Sequence, residues 1–208
     1  VLDTRDVAIE SIQGVAADGT TVDRAYTQDP RDPIFGSALR IDTKTAVPNV
    51  RIRYHTSPQA SGLQWMTPAQ TASGKQPFMF SQSQAIHARS WVPLQDTPSV
   101  RFTYTAHVTA PKALRVVMSA DNDIAHALDG DYRFRMQQPI PSYLLAISVG
   151  ELDVRSTGPR TAVFAEPSVV AKAAKEFEDT EAMIAAAEKL YGAYRWERYD
   201  ILVLPASF

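Results

Sequence analysis

From residue 100 to residue 108 every second position is apolar: Val100, Phe102, Tyr104, Ala106 and Val108, with Arg101, Thr103, Thr105 and His107 between them. Successive side chains on a strand point to opposite faces, so this run predicts a strand with one face on a core and the other in water. On a helix the same five residues would be scattered around the circumference. The chain must therefore build a sheet and supply the strands that complete it.

Partner strands are legible on both sides of that run. Val7-Ala8-Ile9-Glu10-Ser11-Ile12 alternates in part, and Asp18-Gly19 behind it is a hairpin signal. Ala38-Leu39-Arg40-Ile41, Val50-Arg51-Ile52-Arg53-Tyr54, Phe78-Met79-Phe80, Leu114 to Met118 and Tyr132 to Met136 read as further strands. Tyr143 to Gly150 is a continuous apolar run of strand length, and Thr56 to Pro77 is a long Ser/Gly/Pro/Gln loop carrying Trp65 and Met66. Short strands at this spacing predict a mainly β fold, a sandwich or a related packing of sheets.

The pattern changes after Thr157-Gly158-Pro159. Thr161 to Ala165 reads as a strand, Pro167 to about Tyr191 as one long helix with Ser168 as candidate N-cap, and Ile201 to Leu204 as a further strand. Val169, Ala173, Phe177, Met183, Ile184, Ala187 and Leu190 make an apolar stripe at helical spacing. The last fifty or so residues thus begin an α/β unit. The first residue already lies in strand-like sequence, and an apolar strand ends four residues before the last, so the chain is expected to be a piece of a longer protein.

Composition excludes several function classes. There is no cysteine, which removes thiolate metal sites, disulfides and a cysteine nucleophile. A net charge of −2 offers no basic patch for nucleic acid. No apolar run is long enough to span a bilayer. The expected location is soluble and cytoplasmic, with periplasmic or secreted as the alternative. His55, His87, His107 and His126 form no i, i+4 pair and no His-Glu-x-x-His, so each reads as a surface or packed residue. Asp121-Asn122-Asp123 with Asp129-Gly130-Asp131 lacks EF-hand spacing and reads as a solvated loop. Glu176, Glu178, Asp179, Glu181 and Glu188 are mixed with lysines and read as a solvated helix face.

Gln82 and Gln84 are the most informative polar pair. Two apart on a strand, they would share a face and offer neutral donors and acceptors that suit the polar ends of a peptide. On pattern alone a polar strand face is the better reading. Arg89, Gln95 and Asp96 follow in a Pro-flanked loop, and Trp65 and Trp91 read as core fillers by default.

Longer strings go further. Leu63-Gln64-Trp65-Met66-Thr67-Pro68-Ala69-Gln70-Thr71, Ser81-Gln82-Ser83-Gln84-Ala85-Ile86-His87-Ala88-Arg89, Gln95 to Val100, Thr103 to Ala106 and Pro139 to Ala146 are specific, and they occur in order along the chain. So are Gly158-Pro159-Arg160-Thr161 and Arg198 to Phe208. Together they resemble the M1 family of zinc aminopeptidases, in the branch of leukotriene A4 hydrolase and its bacterial aminopeptidase relatives. The resemblance implies a saddle-like β-sandwich N-terminal domain over residues 1–157, with its leading strands missing. It implies the first α/β elements of a thermolysin-like catalytic domain over 158–208, truncated before the zinc motif.

The resemblance also implies a zinc cofactor whose ligands lie outside this chain, so no catalytic or metal-binding residue is expected within it. Gln82 and Gln84 match family positions that contact the substrate near its free amine, and Ala85, next to Gln84, is counted with them as substrate-binding. The family's human member has Cys where Ser83 stands. The implied partners are peptide substrates and the remainder of the chain's own catalytic domain, with no nucleic acid and no membrane. The implied function is one wall of the substrate cleft of a zinc aminopeptidase, inactive alone. The alternatives are a non-catalytic β-sandwich binding module and a bifunctional aminopeptidase/epoxide hydrolase.

Overall fold

The structure, a computed structural model, describes residues 1–43 and 48–208. Its elements in chain order are β1 (Leu2–Thr4), β2 (Ala8–Val15), β3 (Thr21–Asp23), β4 (Tyr26–Gln28), β5 (Ser37–Ile41), β6 (Asn49–His55), β7 (Leu63–Met66) and β8 (Phe78–Ser81). They continue with β9 (Arg101–Thr109), β10 (Arg115–Met118), β11 (Asp131–Pro141), β12 (Ile147–Gly150), β13 (Asp153–Ser156), β14 (Thr161–Ala165), α1 (Val170–Glu176), α2 (Thr180–Tyr191) and β15 (Tyr199–Leu202). The mainly β expectation is borne out. The chain divides into two compact units: residues 1–64, 81–101 and 141–145 form the first, and 65–80, 102–140 and 146–208 the second.

The first unit holds the sheets β3-β2-β6 and β1-β5-β4. The Asp18-Gly19 hairpin forms as expected: Gly19 takes φ +86°, and the Asp18 carboxylate accepts the Thr20 N–H at 2.9 Å. Ile12 and Leu39 bury themselves from the middle strands of the two sheets, and Trp91 is buried in the same unit. Trp65 is the exception to core filling, with 60% of its surface exposed.

The second unit holds β10-β12-β8-β7, β11-β9 and β13-β14-β15. β9 keeps the alternation read from the sequence, its apolar residues half-buried and the others exposed. β14 is buried along its whole length because it is the middle strand, antiparallel to β13 and parallel to β15. The parallel pair needs a crossover, and α1 and α2 provide it. Val170 and Ala173 of α1 pack on Val163 and Ala165 of β14. A second cluster joins Phe78, Phe80, Met66 and Val117 to Leu152, Ala162 and Phe164. Gly150 lies so close to Phe78 that a Cβ there would stand 2.2 Å from the ring.

Four local expectations are corrected. The run from Tyr143 to Gly150 is not one strand: Ser142–Leu144 is a 3-10 turn, closed by the Leu145 N–H on Ser142 O at 3.0 Å, and only Ile147–Gly150 pairs. A continuous apolar run carries no periodicity to separate the two. The long helix is broken at Phe177–Asp179, where the Thr180 hydroxyl bonds Phe177 O at 2.7 Å and so competes with helical pairing. Its N-cap is Val169, not Ser168, and the Val169 and Val170 N–H groups both reach Glu166 O. The 56–77 loop contains β7 and a 3-10 turn at Pro68–Gln70, whose Gln70 side chain accepts the Thr67 N–H at 2.9 Å.

Four of the seven residues of the helical stripe, Phe177 among them, are exposed. Ile184 is buried, but Met183 is 66% exposed, and Ala187 and Leu190 are exposed as well. Met183, Ile184 and Ala187 line a groove of about 760 Å³ together with Tyr191, Trp196 and Tyr199. Among the described residues, no helix is long and apolar enough to cross a membrane.

Candidate functional site

The segment from Gln82 to Trp91 lies in the first unit, and its geometry begins where β8 ends at Ser81. Gln82 and Gln84 are therefore not on a strand, which corrects the expectation. Gln82 and Ser83 leave the ladder, Gln84 to His87 form a turn, and Ala88–Ser90 is a 3-10 turn. The Gln84 N–H turns to the Gln82 side-chain carbonyl at 3.1 Å, a local bond in place of a ladder bond. The Gln84–Ala85 peptide is cis. The alternation of exposure nevertheless survives: Gln82 and Gln84 are exposed, Ser83 between them is buried, and Ala85 is exposed beside Gln84.

Beneath the two amides the turn is tied down at several points. The Ser83 hydroxyl donates to Leu145 O at 2.9 Å and accepts the Trp91 indole N–H at 3.2 Å. The His87 N–H closes the turn on Ser83 O at 2.9 Å, and the Gln82 N–H bonds Gly62 O at 2.9 Å. Gly62 donates its own N–H to the Ser90 hydroxyl at 2.8 Å, and that hydroxyl donates to His87 O at 2.8 Å. A Cβ on Gly62 would stand 2.5 Å from His87 O, so glycine is required for this close approach.

A buried ion pair anchors the end of the segment. Arg89 donates through Nε (3.0 Å) and its backbone N–H (3.1 Å) to one Asp96 carboxylate oxygen, and Ser142 donates its hydroxyl to the other at 2.6 Å. The remaining Arg89 donors reach Asp96 O at 3.0 Å and Phe35 O at 2.8 Å. A second buried arginine, Arg5, donates to the Ser61 hydroxyl at 3.1 Å and to Ile34 O, with His87 Nδ1 at 3.3 Å. An arginine only donates, so Nδ1 of His87 is the acceptor and Nε2 carries the proton. Burial, and next the Arg89 cation, push the Arg5 guanidinium below its usual value.

The arrangement presents two neutral amides to solvent on a stiff turn, with its charges underneath. It can bind polar, uncharged groups of a peptide, and it contains no group placed to cleave one. The sequence reading did not assign Arg5, Ser61, Gly62 or Ser83 to the site. Ser83 carried a signal: a residue between two exposed side chains at period two must face inward.

The other candidates fall as follows. Two of the helix acids are not simply solvated: Glu181 and Glu188 both bind Arg160, each at 2.8 Å, and the Tyr194 N–H reaches Glu188 at 2.9 Å. His107 pairs with Asp131 at 2.8 Å, and His126 with Asp129 at 3.1 Å. Asn122 is buried and bonds the backbone of Met118 and Ala120. Among the described residues no group of three or more His, Asp or Glu converges into a metal site, so the residues present do not fit the implied zinc.

Comparison with known proteins decides the family. The model of the peptidase M1 N-terminal domain matches residues 1–144. The chain belongs to the M1 peptidase family. Leukotriene A-4 hydrolase of Xenopus laevis is 41% identical over the whole of this chain and 35% of its own length. Leucine aminopeptidase 2 of Yarrowia lipolytica is 43% identical over the whole chain and 32% of its own. The structure of native leukotriene A4 hydrolase from Saccharomyces cerevisiae matches with TM-score 0.87 and 38% identity, covering 98% of this chain and 31% of that one. An M1 zinc metallopeptidase from Deinococcus radiodurans shares the fold at TM-score 0.73 and 21% identity, over 99% of this chain and 48% of that one. This M1 chain spans about a third of the length of the curated relatives it matches.

Proposed function

We propose that the chain is part of a zinc-dependent aminopeptidase that removes N-terminal residues from peptides. In this reading Gln82, Gln84 and Ala85 line one wall of the substrate cleft. The zinc ligands and the catalytic groups come from sequence outside these 208 residues, so the chain is inactive alone. Residues 1–157 are the N-terminal β domain and 158–208 open the catalytic domain, the change falling in the turn between β13 and β14. The partners are peptide substrates and the remainder of the catalytic domain, with no nucleic acid. A soluble, cytoplasmic location belongs to the same proposal, and fractionation of cells expressing the full-length protein tests it.

The observation that supports the reading is the turn itself. Two exposed amides flank a buried serine on a segment braced by Leu145, Trp91 and Gly62. Positioned neutral donors and acceptors orient a peptide without holding it through charge. The names of the relatives, a leucine aminopeptidase and an M1 zinc metallopeptidase, support the reaction class. The test is hydrolysis of an aminoacyl arylamide by the full-length protein with and without a chelator. Chelator-sensitive turnover is expected. A folded, zinc-loaded protein with no turnover would overturn the reading in favour of a binding module. The name of the Xenopus relative favours leukotriene A4 as a second substrate, tested by its conversion in the same preparation.

A further inference from the structure

We propose that Ser83 is a positioning residue for peptide binding, setting the direction of the Gln82 and Gln84 amides on either side of it. The inference rests on the peptide-binding reading of those glutamines. Only 2% of Ser83 is exposed, so it touches no ligand itself. Its hydroxyl is fully used: the proton goes to Leu145 O at 2.9 Å, and the oxygen receives the Trp91 indole N–H at 3.2 Å. Its carbonyl takes the His87 N–H at 2.9 Å, which closes the turn carrying Gln84 and Ala85.

The hydroxyl is thus the point where the turn is pinned to two other segments of the same unit, the 141–145 stretch and the 3-10 turn leading to Trp91. A residue two-fold bonded at its side chain has one rotamer available, and that fixes the backbone between the two amides. The glutamines are tied only to each other at this point, the Gln82 side-chain carbonyl accepting the Gln84 N–H at 3.1 Å. Both side chains sit at exposed positions. Without the pin, the amides would sample several directions, and an oriented contact would become an averaged one. Alanine at 83 also leaves the Leu145 carbonyl and the Trp91 N–H without a buried partner.

The test is made on the full-length protein with an aminoacyl arylamide. Ser83→Ala is expected to lower kcat/KM about tenfold, the loss of one oriented hydrogen bond. Ser83→Cys, which keeps a weak donor and acceptor in the same shape, is expected to recover most of that. Combined with Gln84→Ala, Ser83→Ala should add little to the effect of Gln84→Ala alone, because it acts through that amide. Losses that multiply independently, or a folded Ser83→Ala protein within about twofold of wild type, would overturn the proposal. Where Ser83→Ala does not fold, Trp91→Phe removes the indole donor together with part of the buried ring, keeps the Ser83–Leu145 bond, and is expected to give the same coupling to Gln84, while independent losses would overturn the proposal.

Hydrogen exchange separates this inference from the reading beneath it. Ser83→Ala should speed exchange of the amides of residues 82–87 and leave the β2–β6 pairing unchanged. Unaltered exchange there would overturn the brace. Faster exchange together with a silent Gln84→Ala would support the brace and overturn the peptide-binding reading.

Discussion

Asp96→Ala is the substitution whose cost follows most directly from the geometry. The Asp96 side chain is 0% exposed and that of its partner Arg89 is 7% exposed. Its carboxylate takes Arg89 Nε at 3.0 Å, the Arg89 backbone N–H at 3.1 Å and the Ser142 hydroxyl at 2.6 Å. Alanine leaves a guanidinium in the interior with carbonyl partners only. Asp3 stands 3.8 Å from Arg89 and is too exposed to replace the lost carboxylate in full. Removing one partner of a buried pair costs about 3–5 kcal/mol. At roughly 2–4 °C per kcal/mol for a domain of about this size, the unfolding transition should fall by about 6–20 °C. Calorimetry of the full-length protein reads the shift in the transition of the domain that carries the pair. Arg89→Met combined with Asp96→Ala removes the stranded charge, so the double variant should lose less than the sum of the single ones. An Asp96→Ala protein melting within roughly 2 °C of wild type would refute the argument that this pair holds the segment in place.

Three further outcomes are expected. Gly62→Ala puts a Cβ 2.5 Å from His87 O, a backbone atom that can give way only by moving the turn; a loss of about 1–3 kcal/mol in denaturant melts is expected, and an unchanged midpoint would contradict it. Hydrogen bonds from Arg160, then from the Tyr194 N–H, hold the Glu188 carboxyl below its ordinary 4.5. A depressed carboxylate pKa adds stability above the unfolded value and loses it as pH falls through the folded one. The difference in Tm between wild type and Arg160→Gln should therefore be full above pH 4.5 and shrink below it; a pH-independent difference would contradict this. These 208 residues, expressed alone, should leave an aminoacyl arylamide intact in the presence of added zinc, and turnover by them would place catalytic groups inside the chain.

Local rules that act through a period of two or through turn chemistry were legible in the sequence. β9 alternates because one face is half-buried, and Asp18-Gly19 closes a hairpin because glycine takes the positive φ. What escaped depended on partners far along the chain. Tyr143 to Gly150 opens inside a 3-10 turn whose Ser142 bonds Asp96, 46 residues earlier. The helix stripe put Met183 and Leu190 on one apolar face, but spacing does not say whether a neighbour covers that face. At the candidate site the sequence placed Gln82 and Gln84 on one face for a reason the structure replaces. They share exposure because Ser83 is anchored inward, not because a strand continues. Arg5, Ser61 and Gly62 lie 20 or more residues before the turn they support, and no pattern in the sequence joins them to it.

The central claim is that the Gln82–Ala85 turn holds the peptide. Its most direct test is kcat/KM of Gln84→Ala against wild type, in the full-length, zinc-loaded protein on an aminoacyl arylamide. Loss of one or two oriented hydrogen bonds predicts a fall of about tenfold with the melting temperature preserved. Wild-type kcat/KM in that variant would contradict the claim and leave the turn a purely structural element.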